Sequence, residues 1–162
     1  MVENRLYERT SFDIAIVFIV IISVCILVYW NEGRCRYYTP SELVYSTEEY
    51  TCVIEEITVH NYISIKGYAY KNGESIKTAN SFFVLKDTVS GTYIQIPTQI
   101  IEDIRYNEIA GNEYENKYAG LLGLVNTSKL QKGRDYVIGV GYGNNNDATL
   151  IMTEERFQVG DK

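Results

Sequence analysis

The longest apolar run of the chain lies near its N-terminus. Residues 14–30 read IAIVFIVIISVCILVYW, with no charged residue and with Ser23 as the only clearly polar side chain. As an α-helix this run would be about 25 Å long, close to the ~30 Å hydrocarbon core of a bilayer. Tyr29 and Trp30 end the run with amphipathic rings that suit the headgroup region. The pattern predicts a transmembrane helix over residues 12–30 that contacts lipid through residues 14–30.

The residues around Cys25 raise the alternative of a cleaved leader. Ile22-Ser23-Val24-Cys25 is similar to a lipoprotein cleavage site, but Val24 stands where a glycine or alanine is expected. The apolar run also continues past Cys25 through residues 26–28, and no small-residue signal-peptidase site comes after it. The sequence therefore favours an uncleaved anchor.

The direction of this anchor depends on the flanking charges and on chain order. Arg5 and Arg9 precede the run, and Arg34 and Arg36 come after it, so the positive-inside comparison is a tie. An anchor so close to the N-terminus favours a short cytoplasmic tail, residues 1–11, and export of the remainder of the chain. We expect a cell-membrane protein with its C-terminal domain outside the cytoplasm, with a cytoplasmic domain as the alternative.

Beyond the anchor, the pattern changes to short strands separated by turns. Residues 31–49 contain Gly33 and Pro40 among polar residues and are predicted to form a juxtamembrane linker. Residues 50–162 then hold seven or eight strand-like segments at the spacing typical of a β-sandwich. These segments are 50–59, 62–70, 81–87, 93–96, 119–126, 136–142, and 148–153 with 156–159. The predicted fold is an all-β antiparallel sandwich behind one transmembrane α-helix.

Residues 62–70 show the clearest alternation in this domain. Ile63, Ile65, Gly67 and Ala69 fall on one face of the predicted strand, and the intervening residues fall on the other. The dipeptide Asn72-Gly73 ends the strand with a tight-turn signal. Residues 99–117 are acidic and lack such a pattern, so they are expected to form a short helix or a long loop that crosses between sheets.

The segment LQKGRDYVIGV, from Leu130 to Val140, resembles the L-x-x-G-x-x-Y turn of fibronectin type III and other immunoglobulin-like sandwiches. The resemblance implies a tyrosine corner in which Leu130 and Tyr136 pack inward and Gly133 makes the turn. Tyr118 to Tyr142 is also similar to uncharacterised extracytoplasmic β-domains in single-pass surface proteins of Gram-positive bacteria. Together these resemblances imply an immunoglobulin-like surface domain, and the second one implies no functional residue.

Composition narrows the range of partners. Residues 37–162 contain 11 Lys and Arg against 17 Asp and Glu, which accounts for the whole net charge of −6. Nucleic-acid binding usually requires a basic face, so we expect no nucleic-acid partner. No phosphate-binding glycine loop or nucleophile-elbow motif is present. The sequence thus predicts neither an enzyme nor a cofactor.

Metal and disulfide candidates are equally sparse. Oxygen ligands that suit calcium occur at residues 144–147 and 102–115, but neither segment matches a known calcium-loop pattern, and we expect no metal site. Cys35 and Cys52 are expected to remain free, with a bond between them as the alternative in an oxidising compartment.

The tyrosines give the best candidate surface, because the chain has 15 of them against 2 prolines. Tyr62, Tyr68 and Tyr70 share the polar face of one predicted strand, and Tyr93 on a neighbouring strand is expected to join them. Tyrosine suits protein interfaces and also stacks against sugar rings, although it is common on half-exposed strands. We expect a non-enzymatic binding or accessory domain that contacts protein in an envelope or surface assembly, with a module for cell-wall or surface glycan as the alternative.

Overall fold

The computed structural model describes residues 14–27, 34–41, 43–45, 49–111, 113–144 and 147–160. The chain divides into two compact units, the first ending at Arg34 and the second beginning at Cys35. The first unit contains one described helix, and the second contains every described strand.

The described helix of the first unit, α1, spans residues 14–27. Its fourteen residues correspond to about 21 Å of helix, and its large apolar side chains are 43–69% exposed on all sides. Among the residues that the structure describes, no helix is both long enough and apolar enough to cross a membrane. The expected transmembrane helix over 12–30 is therefore not shown. Residues 12, 13 and 28–30, and the expected tail at 1–11, lie outside the described residues.

In its described residues the second unit is all-β apart from one helical turn and one 3-10 turn, so the all-β prediction is confirmed. A five-residue helix, α2, spans Arg105–Ile109, and the 3-10 turn spans Thr127–Lys129. The described strands are β1 Arg36–Tyr38, β2 Leu43–Tyr45, β3 Tyr50–Val59, β4 Tyr62–Lys71, β5 Phe82–Asp87, β6 Tyr93–Gln95, β7 Thr98–Ile101, β8 Gly120–Asn126, β9 Asp135–Asn144 and β10 Asp147–Gln158.

These strands form two sheets. The larger sheet has the order β1-β6-β5-β9-β10-β2, and the smaller sheet has the order β3-β4-β8-β7. All described neighbours are antiparallel except β2 and β10, which run parallel. The predicted two-sheet, sandwich-like architecture is confirmed at this level.

The core lies between the inner faces of the two sheets. Strand alternation places Ile63 and Ile65 of β4 against Ile138 and Val140 of β9, and all four side chains are fully buried. Burial of each such side chain stabilises the fold by about 1.5–3 kcal/mol. The alternation seen in the sequence at residues 62–70 therefore identified the inner face of β4 correctly.

The structure differs from the sequence prediction at two places. The segment expected to be a linker contributes β1 and β2, which occupy the two edges of the larger sheet. The acidic segment 99–117 contains the expected short helix, α2, but it also contributes most of β7, and the crossing between the sheets falls before it, between β6 and β7. Pro97 lies at that crossing, where its missing N–H removes no ladder bond.

The segment from β1 to β2, which we call the strap, joins the two edges of the larger sheet. Five strand intervals separate β1 from β2, about 24 Å in a flat sheet, whereas the chain from Tyr38 to Leu43 reaches at most about 18 Å. The sheet must therefore curve toward the strap. On its outer side, Tyr38 packs against a second apolar cluster, which we call the outer cluster. It consists of Val84, Leu150 and Met152, all of which are buried.

Glycines on β9 permit this outer layer to pack closely. A Cβ on Gly141 would lie 2.5 Å from the Phe82 ring, and one on Gly139 would lie 2.7 Å from the sulfur of Met152. Phe82 in turn meets Tyr38 edge to face, with 5.4 Å between the ring centroids. Strand β9 thus presents large side chains to the core and an open backbone to the outer cluster.

At the opposite end of β9, a corner and a turn are held by buried polar contacts. The backbone N–H of Gln131 donates to the Tyr136 hydroxyl at 3.0 Å, Leu130 is buried, and Gly133 has a φ of 70°. Asp87, 3% exposed, accepts from the backbone N–H groups of Val89 and Ser90 and from the guanidinium of Arg134 at 2.7 Å. Burial alone would raise the pKa of Asp87, but these donors outweigh it and hold the pKa below its ordinary value.

The strap is expected to be part of the folding unit. A fragment that begins at Tyr50 lacks both strap strands and exposes the outer cluster, so it should be less stable than one that begins at Cys35 by at least about 3 kcal/mol. Thermal and urea unfolding of the two fragments measure this difference. Equal stability would contradict the assignment of the strap to the domain.

Asp87 is expected to contribute stability that depends on pH. Because its pKa is lower in the folded protein than the ~3.9 of an unfolded chain, its contribution is complete above that value and is lost as the pH falls below it. Asp87→Asn should cost about 2–3 kcal/mol at pH 7, and the difference from the parent protein should shrink toward pH 3. Urea unfolding across this pH range tests it, with the exposed Glu113→Gln as control. A difference that does not change with pH would contradict the role of the carboxylate.

Candidate functional site

The structure does not bring the four candidate tyrosines together. Tyr62 lies at the start of β4 and is 53% exposed, whereas Tyr70 lies near its end and is buried. Tyr93 belongs to β6 of the larger sheet, where its ring packs against the outer cluster. Of the four, Tyr68 and Tyr70 form a pair, stacked with 6.2 Å between ring centroids.

A tyrosine that the sequence did not single out covers this pair. Tyr106 of α2 is 1% exposed, and its ring centroid lies 5.0 Å from that of Tyr68. It rests over Gly120 of β8, where an added Cβ would lie 2.6 Å from the Tyr106 ring. Burial raises the pKa of both Tyr68 and Tyr106, so both phenols stay neutral at physiological pH. Helix α2 therefore closes one half of the smaller sheet's outer face.

The other half of that face is open. Its surface, which we call the outer patch, consists of Tyr62, Ser64 and Lys66 on β4 and Leu122 and Leu124 on β8. Cross-strand register sets Ser64 beside Leu124 and Lys66 beside Leu122. Leu124 is 51% exposed, which is unusual for a leucine at the centre of a strand. The Lys66 ammonium lies 3.2 Å from a carboxylate oxygen of Glu55, so the charge at the edge of the patch is paired.

A cleft of about 530 Å³ opens between the edge of the smaller sheet and the larger sheet. We call it the edge cleft, and its described walls are residues 52–54 of β3 and residues 152–155 of β10. Cys52 and Ile54, both half-buried, give it an apolar floor, whereas Glu154 and Glu155 stand exposed at its rim. Neither wall contains any of the four tyrosines that the sequence singled out as candidates.

A second cavity, of about 600 Å³, lies at the β3–β4 turn and contains the only histidine of the chain. His60 is exposed, and its backbone N–H donates to the carbonyl of Tyr62. The polar lining consists of His60, Asn61, Thr127, Ser128 and Lys132. Within the described ranges, no group of three or more His, Cys, Asp or Glu side chains could hold a metal ion.

The two weak calcium candidates have other roles where they are described. In segment 102–115, Glu102 and Glu115 both pair with Lys117, and Asp103 pairs with Arg105. Asn144 is buried and accepts from the backbone N–H groups of Lys77 and Thr78. Residues 145 and 146 of the other candidate lie outside the described residues.

All three cysteines are free in the structure, so Cys35 and Cys52 do not pair. Burial raises the pKa of Cys35 and raises that of Cys52 to about 12. At neutral pH both therefore remain protonated thiols, which are weak nucleophiles and poor metal ligands.

The outer patch was not predicted because the first six residues of β8, GLLGLV, are all apolar and show no alternation between faces. Pairing with β4 resolves the two faces. Leu121 and Val125 lie opposite inward-facing residues of β4 and are buried, whereas Leu124 lies opposite the outward-facing Ser64. No comparable signal exists for Tyr106 or for the edge cleft, since both depend on contacts between distant segments.

Comparison of the chain with protein-family models, with curated proteins and with solved structures finds no match.

Proposed function

We propose that the protein is a membrane-anchored, non-enzymatic binding domain outside the cytoplasm that contacts another protein in an envelope or surface assembly. The observation that carries this proposal is the outer patch, in which Tyr62, Leu122 and Leu124 form an uncovered surface. Exposed apolar side chains that adjoin one another, rimmed by polar groups, are typical of protein interaction sites.

The geometry of the tyrosines supports a protein partner over a glycan. Stacking of sugar rings requires aromatic rings that line a shared, accessible surface. Tyr70 is buried, Tyr93 lies on the other sheet, and Tyr68 is partly covered by Tyr106. Tyr62 alone of the four is well exposed, and no second exposed ring of the four lies beside it to complete a stacking surface. The glycan alternative therefore has less support.

We also propose that the domain is immunoglobulin-like. Immunoglobulin-type sandwiches hold strands A, B, E and D in one sheet and strands C, F and G in the other. The smaller sheet matches the first order with β3, β4, β8 and β7, and β5, β9 and β10 then match C, F and G. The hydrogen bond from Gln131 to the Tyr136 hydroxyl supports a tyrosine corner at the start of the F-like strand. In this interpretation the strap is an addition that precedes the A-like strand.

Support for the anchor comes from the composition of the N-terminal segment. Helix α1 carries exposed apolar side chains on every face, which suits lipid and not water. Residues 28–30, which complete the proposed lipid-contacting span, lie outside the described residues. The outward direction of the domain remains part of the proposal.

Photocrosslinking in the native membrane tests the binding function. A photoreactive amino acid in place of Leu124 should yield a discrete adduct with one protein, because the outer patch is then in contact with its partner. Lys66→Glu should weaken this adduct, since it places a carboxylate beside Glu55 at the edge of the patch. The matched control position is Val89, which is 73% exposed in the β5–β6 turn. Adducts of equal yield at both positions, or none at Leu124, would contradict the proposal.

A further inference from the structure

The edge cleft is bordered by an unpaired strand edge and by a β-bulge. Strand β3 is the last strand of the smaller sheet, so one of its two edges is unpaired. On β10, the register with β9 passes from Met152 directly to Arg156, so Thr153, Glu154 and Glu155 bulge out of the β9–β10 ladder. The described part of β2 pairs with residues 150–152, and residues 46–48, which continue it, lie outside the described residues. Among the described residues, the β3 wall of the edge cleft therefore offers the backbone hydrogen-bonding groups of a sheet edge, and the β10 wall offers a bulge.

The bulge in β10 is fixed by its own side chain. The Thr153 hydroxyl donates to the carbonyl of Ile138 at 2.7 Å, and it accepts from the N–H of Glu155 at 3.2 Å. These bonds replace part of the missing ladder and turn the bulged residues out toward the cleft. Bulges are common where a strand redirects side chains at a functional surface.

The charge at the rim is one-sided. Glu154 and Glu155 are exposed, and neither pairs with a cation among the described residues. On the opposite wall, β3 continues into Glu55 and Glu56, of which Glu55 is paired with Lys66. Two unpaired carboxylates beside an apolar floor favour a ligand with both aliphatic surface and positive charge.

We propose that the edge cleft binds an extended, lysine- or arginine-bearing segment of a partner protein, which adds as a strand along the open edge. Backbone hydrogen bonds supply the affinity in such strand addition, and alternate side chains supply the specificity. One set of side chains would pack on Cys52 and Ile54, and the other would reach Glu154 and Glu155. This inference rests on the proposed binding function and gives it a site and a partner chemistry.

A second copy of the chain fits this edge poorly. Antiparallel pairing of β3 with β3 of another copy would bring Glu55 and Glu56 close to their own equivalents, and like charges on paired strands are destabilising. Acidic side chains and a bulge are also the usual means by which open edges avoid self-association. The same features that oppose self-pairing therefore select a basic strand.

Hydrogen exchange of the full chain in nanodiscs of zwitterionic lipid tests the proposal. The probe is a short peptide of alternating lysine and valine with blocked ends, and its controls are a glutamate–valine peptide and a lysine–valine peptide N-methylated at alternate residues. The lysine–valine peptide should slow amide exchange in residues 51–56 and 152–156. The glutamate–valine peptide should not, and N-methylation should abolish the effect because it removes backbone donors.

Matched variants distinguish binding at the edge cleft from nonspecific attraction of a basic peptide to an acidic protein. Glu154→Lys with Glu155→Lys should weaken binding of the lysine–valine peptide by about tenfold or more, since two ion pairs become repulsions. Glu108→Lys with Glu113→Lys makes the same charge change on exposed residues elsewhere and should leave binding within about twofold.

Three outcomes would overturn the proposal: equal binding of the N-methylated peptide, protection centred on other segments, or protection of 51–56 that rises with protein concentration in the absence of peptide. The last would indicate a second copy at the edge. Because this test uses purified protein, its failure is distinguishable from failure of crosslinking at Leu124.

Discussion

The two-sided character of β9 is the constraint on which the rest of the fold depends. Its inner face carries Tyr136, Ile138, Val140 and Tyr142, all buried in the core between the sheets. Its outer face carries the glycines at 139, 141 and 143, over which Phe82, Met152 and Asn80 pack closely. One central strand thus supports the core on one side and the outer cluster beneath the strap on the other. The larger sheet is covered on both faces for this reason, and its outer face offers little free apolar surface.

The free surface of the domain consequently lies on the smaller sheet and at its edge. Helix α2 covers half of that sheet's outer face through Tyr106 and leaves the outer patch around Leu124 uncovered. The edge of β3 remains unpaired because the strap places β2 on β10 and not on β3. The outer patch is therefore open because α2 covers only half of the smaller sheet, and the edge cleft is open because the strap pairs with the larger sheet.

The sequence predicted those parts of the fold that depend on local alternation. Its pattern predicts a strand over residues 50–59 with the bounds that β3 has, and it predicts the turn at Gly73, where a positive φ suits glycine. Strands β1 and β2 were missed because each has only three residues, too few to carry a periodic signal, and because their pairing depends on distant strands. Tyr70 was expected on an exposed face, but Tyr106, 36 positions later, packs in the same cluster and buries it. No local pattern predicts such a contact.

We propose that this domain presents its binding surfaces outside the cytoplasm while the N-terminus stays inside. The most direct measurement is protease treatment of intact cells that express the chain with an epitope tag at each end. The account predicts that the C-terminal tag is lost and that a short, membrane-bound fragment with the N-terminal tag survives, while a cytoplasmic marker stays whole. Retention of the C-terminal tag until the membrane is permeabilised would contradict the account and would place the outer patch and the edge cleft in the cytoplasm.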